Sequence, residues 1–202
     1  MPHPPNQKSE SRARILESAR RLFNRKGFAG VSIDEIMAEA GLTRGGFYKH
    51  FKTKAELYAA AIALFSCDGS DLWQREAWQQ AHVDPSAHGR QLARMIVTAY
   101  LSKEHFDERD ASCPMIGLPS DAARAGKAVK AAYREVLERM ARAFEANLPG
   151  ERRPARQQAL TLVAMCVGAM VLARAIDDSA LAEDLRHSAR AHMLAAFEFG
   201  GD

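Results

Sequence analysis

Apolar residues recur along this chain at helical spacing, with no strong strand signal anywhere. Ile15, Leu16, Ala19, Leu22 and Phe23 share one face of a helix predicted over 11–26, which Gly27 ends. Ile33, Ile36, Met37 and Ala40 fall at i, i+3, i+4 and i+7, and Ser32 with Glu35 forms the capping box that opens this shorter helix. Phe47 and Phe51 anchor a third helix over 44–51. Thr53 and Glu56 form a second capping box and start a fourth, nearly continuously apolar from Leu57 to Phe65 and reaching the 66–70 region. Asp84-Pro85 is expected to open another, carrying Leu92, Met95, Ile96, Ala99 and Tyr100. Residues 102–120, broken by Pro114, Gly117 and Pro119, are the least regular part. Long helices are predicted over 127–147, 155–176 and 179–199. The fold class is all-α, with about nine helices.

The 32–57 stretch carries chemistry beyond packing. Gly41 suits the left-handed conformation that follows a helix, Leu42 plugs the turn, and Thr43 can cap the next helix through its hydroxyl. That helix holds Gly45 and Gly46, each costing ~1 kcal/mol relative to alanine in a helix interior. Glycine also lets a backbone approach a ligand closely. Gly45, Tyr48, Lys49 and Lys52 share a face with one aromatic hydroxyl and two cations. Lys54 sits in the first turn of the next helix, against its dipole, a conflict a nearby phosphate would relieve. Such an arrangement pushes one short helix into the major groove of DNA. Arg44 and Lys49 are the better candidates for guanine edges and Thr43 for a thymine methyl; Tyr48, His50 and Lys54 suit phosphate. Arg12, near the start of the first helix, is a further phosphate candidate.

Charge sharpens this picture. The formal net charge is only +3, but residues 1–60 carry 11 Lys and Arg against 6 Asp and Glu, while the remainder is slightly acidic. Cys67, Cys113 and Cys166 are sparse and odd in number, which argues against a disulfide framework or zinc site and fits a reducing cytoplasm. Residues 1–10, with Pro2, Pro4 and Pro5, read as a disordered tail and not as a signal peptide. The run from Ala159 to Ala173 carries no charge over 15 residues, short of the ~20 that span a bilayer. No cofactor or metal is expected: the HFDERD stretch from His105 to Asp110 has no second ligand cluster. No nucleophile elbow, phosphate loop or paired carboxylates point to an enzyme, so a helical enzyme and a plain interaction scaffold are the distant alternatives.

These residues carry a family resemblance. Gly27-Phe28, Ser32 with Glu35-Ile36, Ala40-Gly41-Leu42-Thr43, Gly45, Tyr48, His50-Phe51, Lys54 and Leu57 resemble, in register over about residues 11–60, the DNA-binding domain of the tetracycline-repressor (TetR) family of bacterial transcription regulators. The resemblance implies a helix-turn-helix domain at 11–57, an effector-binding and dimerisation domain at 58–202, and a homodimer on a palindromic operator. It implies DNA contacts at Thr43, Arg44, Gly45, Tyr48, His50 and Lys54, to which Lys49 and Ser32 are added here. Gly46 departs from the family's commoner small polar residue. The family also implies repression relieved by a small molecule. Phe65, Trp73, Met95, Tyr100, Met115, Tyr133 and Met140 are the candidate pocket residues, whose chemistry suits an apolar or aromatic effector. The family's dimer interface lies on the last two helices, where Leu160, Val163, Val167, Gly168, Met170, Val171, Leu181, Leu185 and Met193 are the candidates. Cys113, beside Pro114, is the candidate for an alternative in which an oxidant or electrophile is sensed.

Overall fold

The computed structural model describes residues 5–65, 84, 86–148 and 152–197, and within these it is helical without strands. The helices are α1 (Pro5–Lys26), α2 (Ile33–Glu39), α3 (Arg44–Phe47), α4 (Lys54–Ala63), α5 (Gly89–Tyr100), α6 (Lys103–Asp107), α7 (Pro114–Gly117), α8 (Pro119–Arg124), α9 (Lys127–Glu145), α10 (Arg152–Ala175) and α11 (Ser179–Ala196). The stretch expected to be irregular is therefore built of short helices, which brings the total among the described residues to eleven. The chain divides into two compact units, Met1–Phe65 with Arg109–Glu135, and Ser66–Glu108 with Val136–Asp202. The segment from Arg109 to Glu135 thus folds with the motif.

Local chemistry explains most boundaries. Ser32 caps α2, its hydroxyl accepting from the Glu35 amide at 3.1 Å. Thr53 caps α4, accepting from the Glu56 amide at 3.0 Å, while the Glu56 carboxylate reaches back to the Lys52 amide at 2.8 Å. Four expectations shift. α1 starts at Pro5, so residues 5–10 are helix, not tail; proline is tolerated there because a first-turn N–H has no partner anyway. α3 stops at Phe47, and the chain to Phe51 continues as a tighter turn, with the His50 amide bonded to Phe47 O at 2.9 Å. Thr43 occupies the N-cap position of α3 but its hydroxyl makes no capping bond. α5 starts at Gly89 and not at Pro85, because Asp84 turns the chain by accepting from the Ser86 amide and hydroxyl at 2.8 and 2.7 Å.

In the first unit, α1 packs across α2 and α4 over Ile15, Leu16, Ala19, Phe23, Ile36, Met37, Phe47, Phe51, Leu57 and Tyr58, all buried. Polar bonds fix Arg109–Glu135 to this domain. Arg20 and Asn24 donate to Asp110 O, each at 3.0 Å, Arg25 pairs with the Asp110 carboxylate, and Asp121 accepts from the Phe28 amide at 2.7 Å. In the second unit, α10 and α11 pack on each other and on α5. Arg156 bridges to Glu138 at 2.7 Å, and Arg174 donates to the carbonyls of His105, Phe106 and Glu108. Buried Arg186 donates to Leu101 O at 3.0 Å beneath the Phe106 ring. By length and composition, Arg153–Ala175 is also apolar enough to cross a membrane, which the 15-residue uncharged run understated.

Candidate nucleic-acid interface

The interface is built on two phenylalanines. Phe47 and Phe51, their rings 6.0 Å apart, are buried and pin the α3 turn from below. The opposite side then faces outward. Tyr48 is 62% exposed, the largest exposure among the big apolar side chains of the described residues, with its ring edge-on to Phe47 at 5.2 Å. Thr43, Arg44, Gly45 and Lys49 are exposed beside it, and Ser32 is exposed at the start of α2. Arg44 holds Asp34 at 2.6 Å, a solvent-exposed pair of little intrinsic strength that a better anion can displace.

The glycines divide into two kinds. Gly41 has φ +64°, and a Cβ there would also meet the Arg14 guanidinium at 2.7 Å. Arg14 donates to Ala40 O, closing the C-terminal end of α2 with a cation. Gly41 is thus fixed by the protein itself. A Cβ on Gly45 would meet nothing within 4 Å, and one on Gly46 only Met37 and Thr43 at ordinary contact. Nothing in the domain's own packing requires glycine at these two positions.

Lys54 departs from its expected role. Its ammonium donates to Phe28 O at 2.7 Å and Val31 O at 2.6 Å and lies 4.3 Å over the Phe28 ring. The conflict with the helix dipole is relieved by backbone carbonyls of the α1–α2 loop rather than by an outside phosphate. Burial lowers its pKa, while the Asp121 carboxylate pulls the other way. Phe28 in turn packs on Tyr58, whose buried hydroxyl has its pKa raised by burial. Sequence spacing carried no sign of this clamp, because its partners lie more than twenty residues apart.

Next to the α3 turn lies an open cleft of about 490 Å³ lined by Lys8, Ser11, Leu42, Thr43, Gly46, Lys49 and His50. Among the described residues no carboxylate lines it. His50 is half-buried, its Nδ1 without a hydrogen-bond partner. Its pKa is lowered by burial first and then by the charges of Lys8, Arg12 and Lys49. Arg12 lies 4.8 Å over the Phe51 ring. Lys8 and Ser11 escaped the sequence reading because their segment was taken for a tail and its edge. The helical spacing of Lys8, Ser11 and Arg12 was the available signal.

The remaining candidates scatter. Phe65, Met115 and Tyr133 fall in the first unit and Met95, Tyr100 and Met140 in the second, while Trp73 lies outside the described residues. Phe65 lines a small cavity of about 10 Å³ with Phe23, Tyr58, Ile62, Pro114 and Leu118. Tyr133 donates to Met115 O at 3.4 Å, and burial pushes its pKa up to about 12. Cys113 is fully buried at the N-cap of α7. Of the dimer candidates, Val163, Met170 and Met193 are buried within the protomer, so they serve its own core and not a partner. Leu160 and Leu181 are exposed, Val167, Gly168, Val171 and Leu185 are half-buried, and Leu172 and Ile176 join them as exposed apolar residues the sequence reading missed. Among the described residues no cluster of His, Cys, Asp or Glu could hold a metal ion.

The segment that carries this face is also matched among known proteins. The profile of the bacterial regulatory proteins of the tetR family matches residues 15–61. The HTH-type transcriptional regulator TtgR of Pseudomonas putida is 37% identical over 83 residues, 41% of this chain and 39% of that protein. The chain spans less than half the length of the curated relatives it matches first, all but one of them named as HTH-type transcriptional regulators and none as an enzyme. A TetR transcriptional regulator from Chloroflexus aurantiacus superposes with a TM-score of 0.71 at 21% identity, over 93% of this chain and 96% of that one. The Bacillus subtilis regulator FadR, in complex with stearoyl-CoA, superposes at 0.65 and 12% identity, over 91% and 97%. Residues 15–61 thus match the bacterial regulatory proteins of the tetR family, and the chain shares its fold over nearly its whole length with solved TetR regulators.

Proposed function

We propose that this chain is a ligand-responsive transcriptional regulator of the cytoplasm, a repressor that binds a palindromic duplex operator as a homodimer and is released by a small apolar or aromatic effector. The observation that carries this reading is the exposed face around α3. Tyr48, Arg44, Lys49 and Thr43 project from a turn whose other side is anchored by Phe47 and Phe51, beside glycines that no internal packing requires. Arg44 reads base edges, Thr43 touches a thymine methyl, and the Gly45 backbone comes close to the duplex. Tyr48, His50 and the Ser32 hydroxyl, which keeps its own O–H to donate, contact phosphate. Lys54 braces the loop before α2 and acts on DNA only through it.

Dimerisation rests on the outer face of α10 and α11. Leu160, Val167, Gly168, Val171 and Leu172 follow one another at helical spacing, with Leu181 and Leu185 on α11. That exposed stripe favours reading α10 as an interface helix rather than a bilayer span. Support for an apolar effector is the stearoyl-CoA bound to FadR, whose long hydrocarbon chain is of the expected chemistry.

The test is titration of the purified protein into labelled duplexes from upstream of its neighbouring genes, over a series of salt concentrations. Protection of a palindromic site, steep weakening with salt and loss of binding in Tyr48→Ala are expected. A folded protein that binds no duplex in a salt-dependent way overturns the reading and leaves a helical scaffold.

A further inference from the structure

The cleft beside the α3 turn is walled on one side by the first turns of α1 and on the other by residues 42–50. Cations from two elements, Lys8 of α1 and Lys49 of the recognition turn, line it beside His50. Lys8 and Lys49 make no ion pair among the described residues, and Ser11 and Thr43 add hydroxyls that donate. The floor includes Gly46, where a Cβ would make only ordinary contacts, so the protein leaves open a space it could have filled. An acid-free, hydroxyl-lined slot between two lysines suits a singly charged phosphodiester, with charge on both sides and donors between.

We propose that a backbone phosphate of the duplex seats in this cleft, gripped from α1 by Lys8 and Ser11 and from the recognition turn by Lys49 and His50. This rests on the DNA-binding reading and extends it: the first turns of α1 become part of the DNA-binding surface, contributing affinity and register but no base readout. The two-sided grip also fixes the recognition turn against α1 when DNA is bound.

The experiment compares the full-length parent with Lys8→Ala and with Lys103→Ala, which removes an equal charge from an exposed position on α6 in the other unit. Affinity for a mixed-sequence duplex and for a duplex selected from a random pool is measured against salt. Each released counterion contributes roughly 0.9 to the slope of log K against log salt. Lys8→Ala is expected to lower that slope by about one contact and to weaken both duplexes by the same factor, while Lys103→Ala leaves the slope unchanged. An unchanged slope in Lys8→Ala overturns the inference, and so does an equal drop in Lys103→Ala, which would assign the effect to net charge. If the parent itself lacks salt-dependent binding, the DNA-binding reading has failed, a result distinguishable from either.

Discussion

Lys54 and His50 show how much the role of a single residue depends on what folds against it. Lys54 was legible as a cation in an awkward place, at the start of a helix. Its spacing said nothing of the Phe28 and Val31 carbonyls that satisfy it. Removing two charge-assisted hydrogen bonds while keeping the aliphatic stem, as in Lys54→Met, is expected to cost about 2 kcal/mol of stability in urea unfolding. A variant that unfolds like the parent yet loses salt slope on DNA would return Lys54 to phosphate contact. His50 titrates in the opposite sense from a paired histidine. Burial and its cationic neighbours favour its neutral form in the folded state, so the unfolded chain binds the proton more readily. Stability is therefore full above the ordinary histidine pKa and falls as pH drops through it toward the lowered folded value. A phosphate beside the ring reverses the preference, so DNA affinity rises over the same interval. Between about pH 7.5 and about pH 5.5 the parent is expected to lose stability and gain affinity. His50→Gln, followed by urea midpoints and duplex titrations, is expected to flatten both trends, and a variant that keeps both assigns them to other groups.

At the scale of elements, the local signals served best where the chemistry itself is local. The capping boxes at Ser32 and Thr53 name helix starts because cap and backbone partner lie three residues apart. The start of α5 was misplaced because Asp84 satisfies Ser86 in a turn instead of opening a helix at Pro85. α1 was cut short because prolines near a chain start read equally as tail or first turn. The α3 turn was expected to be twice as long, but after Phe47 the chain tightens, the His50 amide reaching Phe47 O. Replacing Gly45 with alanine separates the protein's needs from those of its ligand. The added methyl meets nothing, so stability is expected to rise by up to ~1 kcal/mol, while duplex affinity falls because the backbone is held away from DNA. Thermal unfolding and a duplex titration on the same sample read both. Unchanged affinity would mean that the glycine serves no approach to DNA.

At the scale of the whole molecule, the sequence revealed that α10 and α11 are apolar, but not which residues face inward. A helix apolar on most of its circumference gives a weak periodic signal, and the side turned toward the protomer's own core is chosen by its neighbours. The fold sorts them. Met170 sits among core residues while Leu172, two positions on, is 58% exposed. This separation makes the dimer testable without confusing assembly with folding. Met170→Ala empties core volume and is expected to cost about 2–5 kcal/mol. Leu172→Glu removes no internal contact of that kind, so the protomer is expected to keep its unfolding midpoint at low concentration. If the exposed stripe meets its twin, the same variant buries two like charges across a two-fold axis, which like-charge repulsion and desolvation oppose strongly. Sedimentation is then expected to show a folded monomer. Operator binding is expected to weaken far more than binding to a single half-site, because only a dimer presents two recognition turns at a fixed spacing. A Leu172→Glu protein that sediments as a dimer and holds the full operator like the parent would place the two-fold contact elsewhere, leaving the stripe on α10 without a partner.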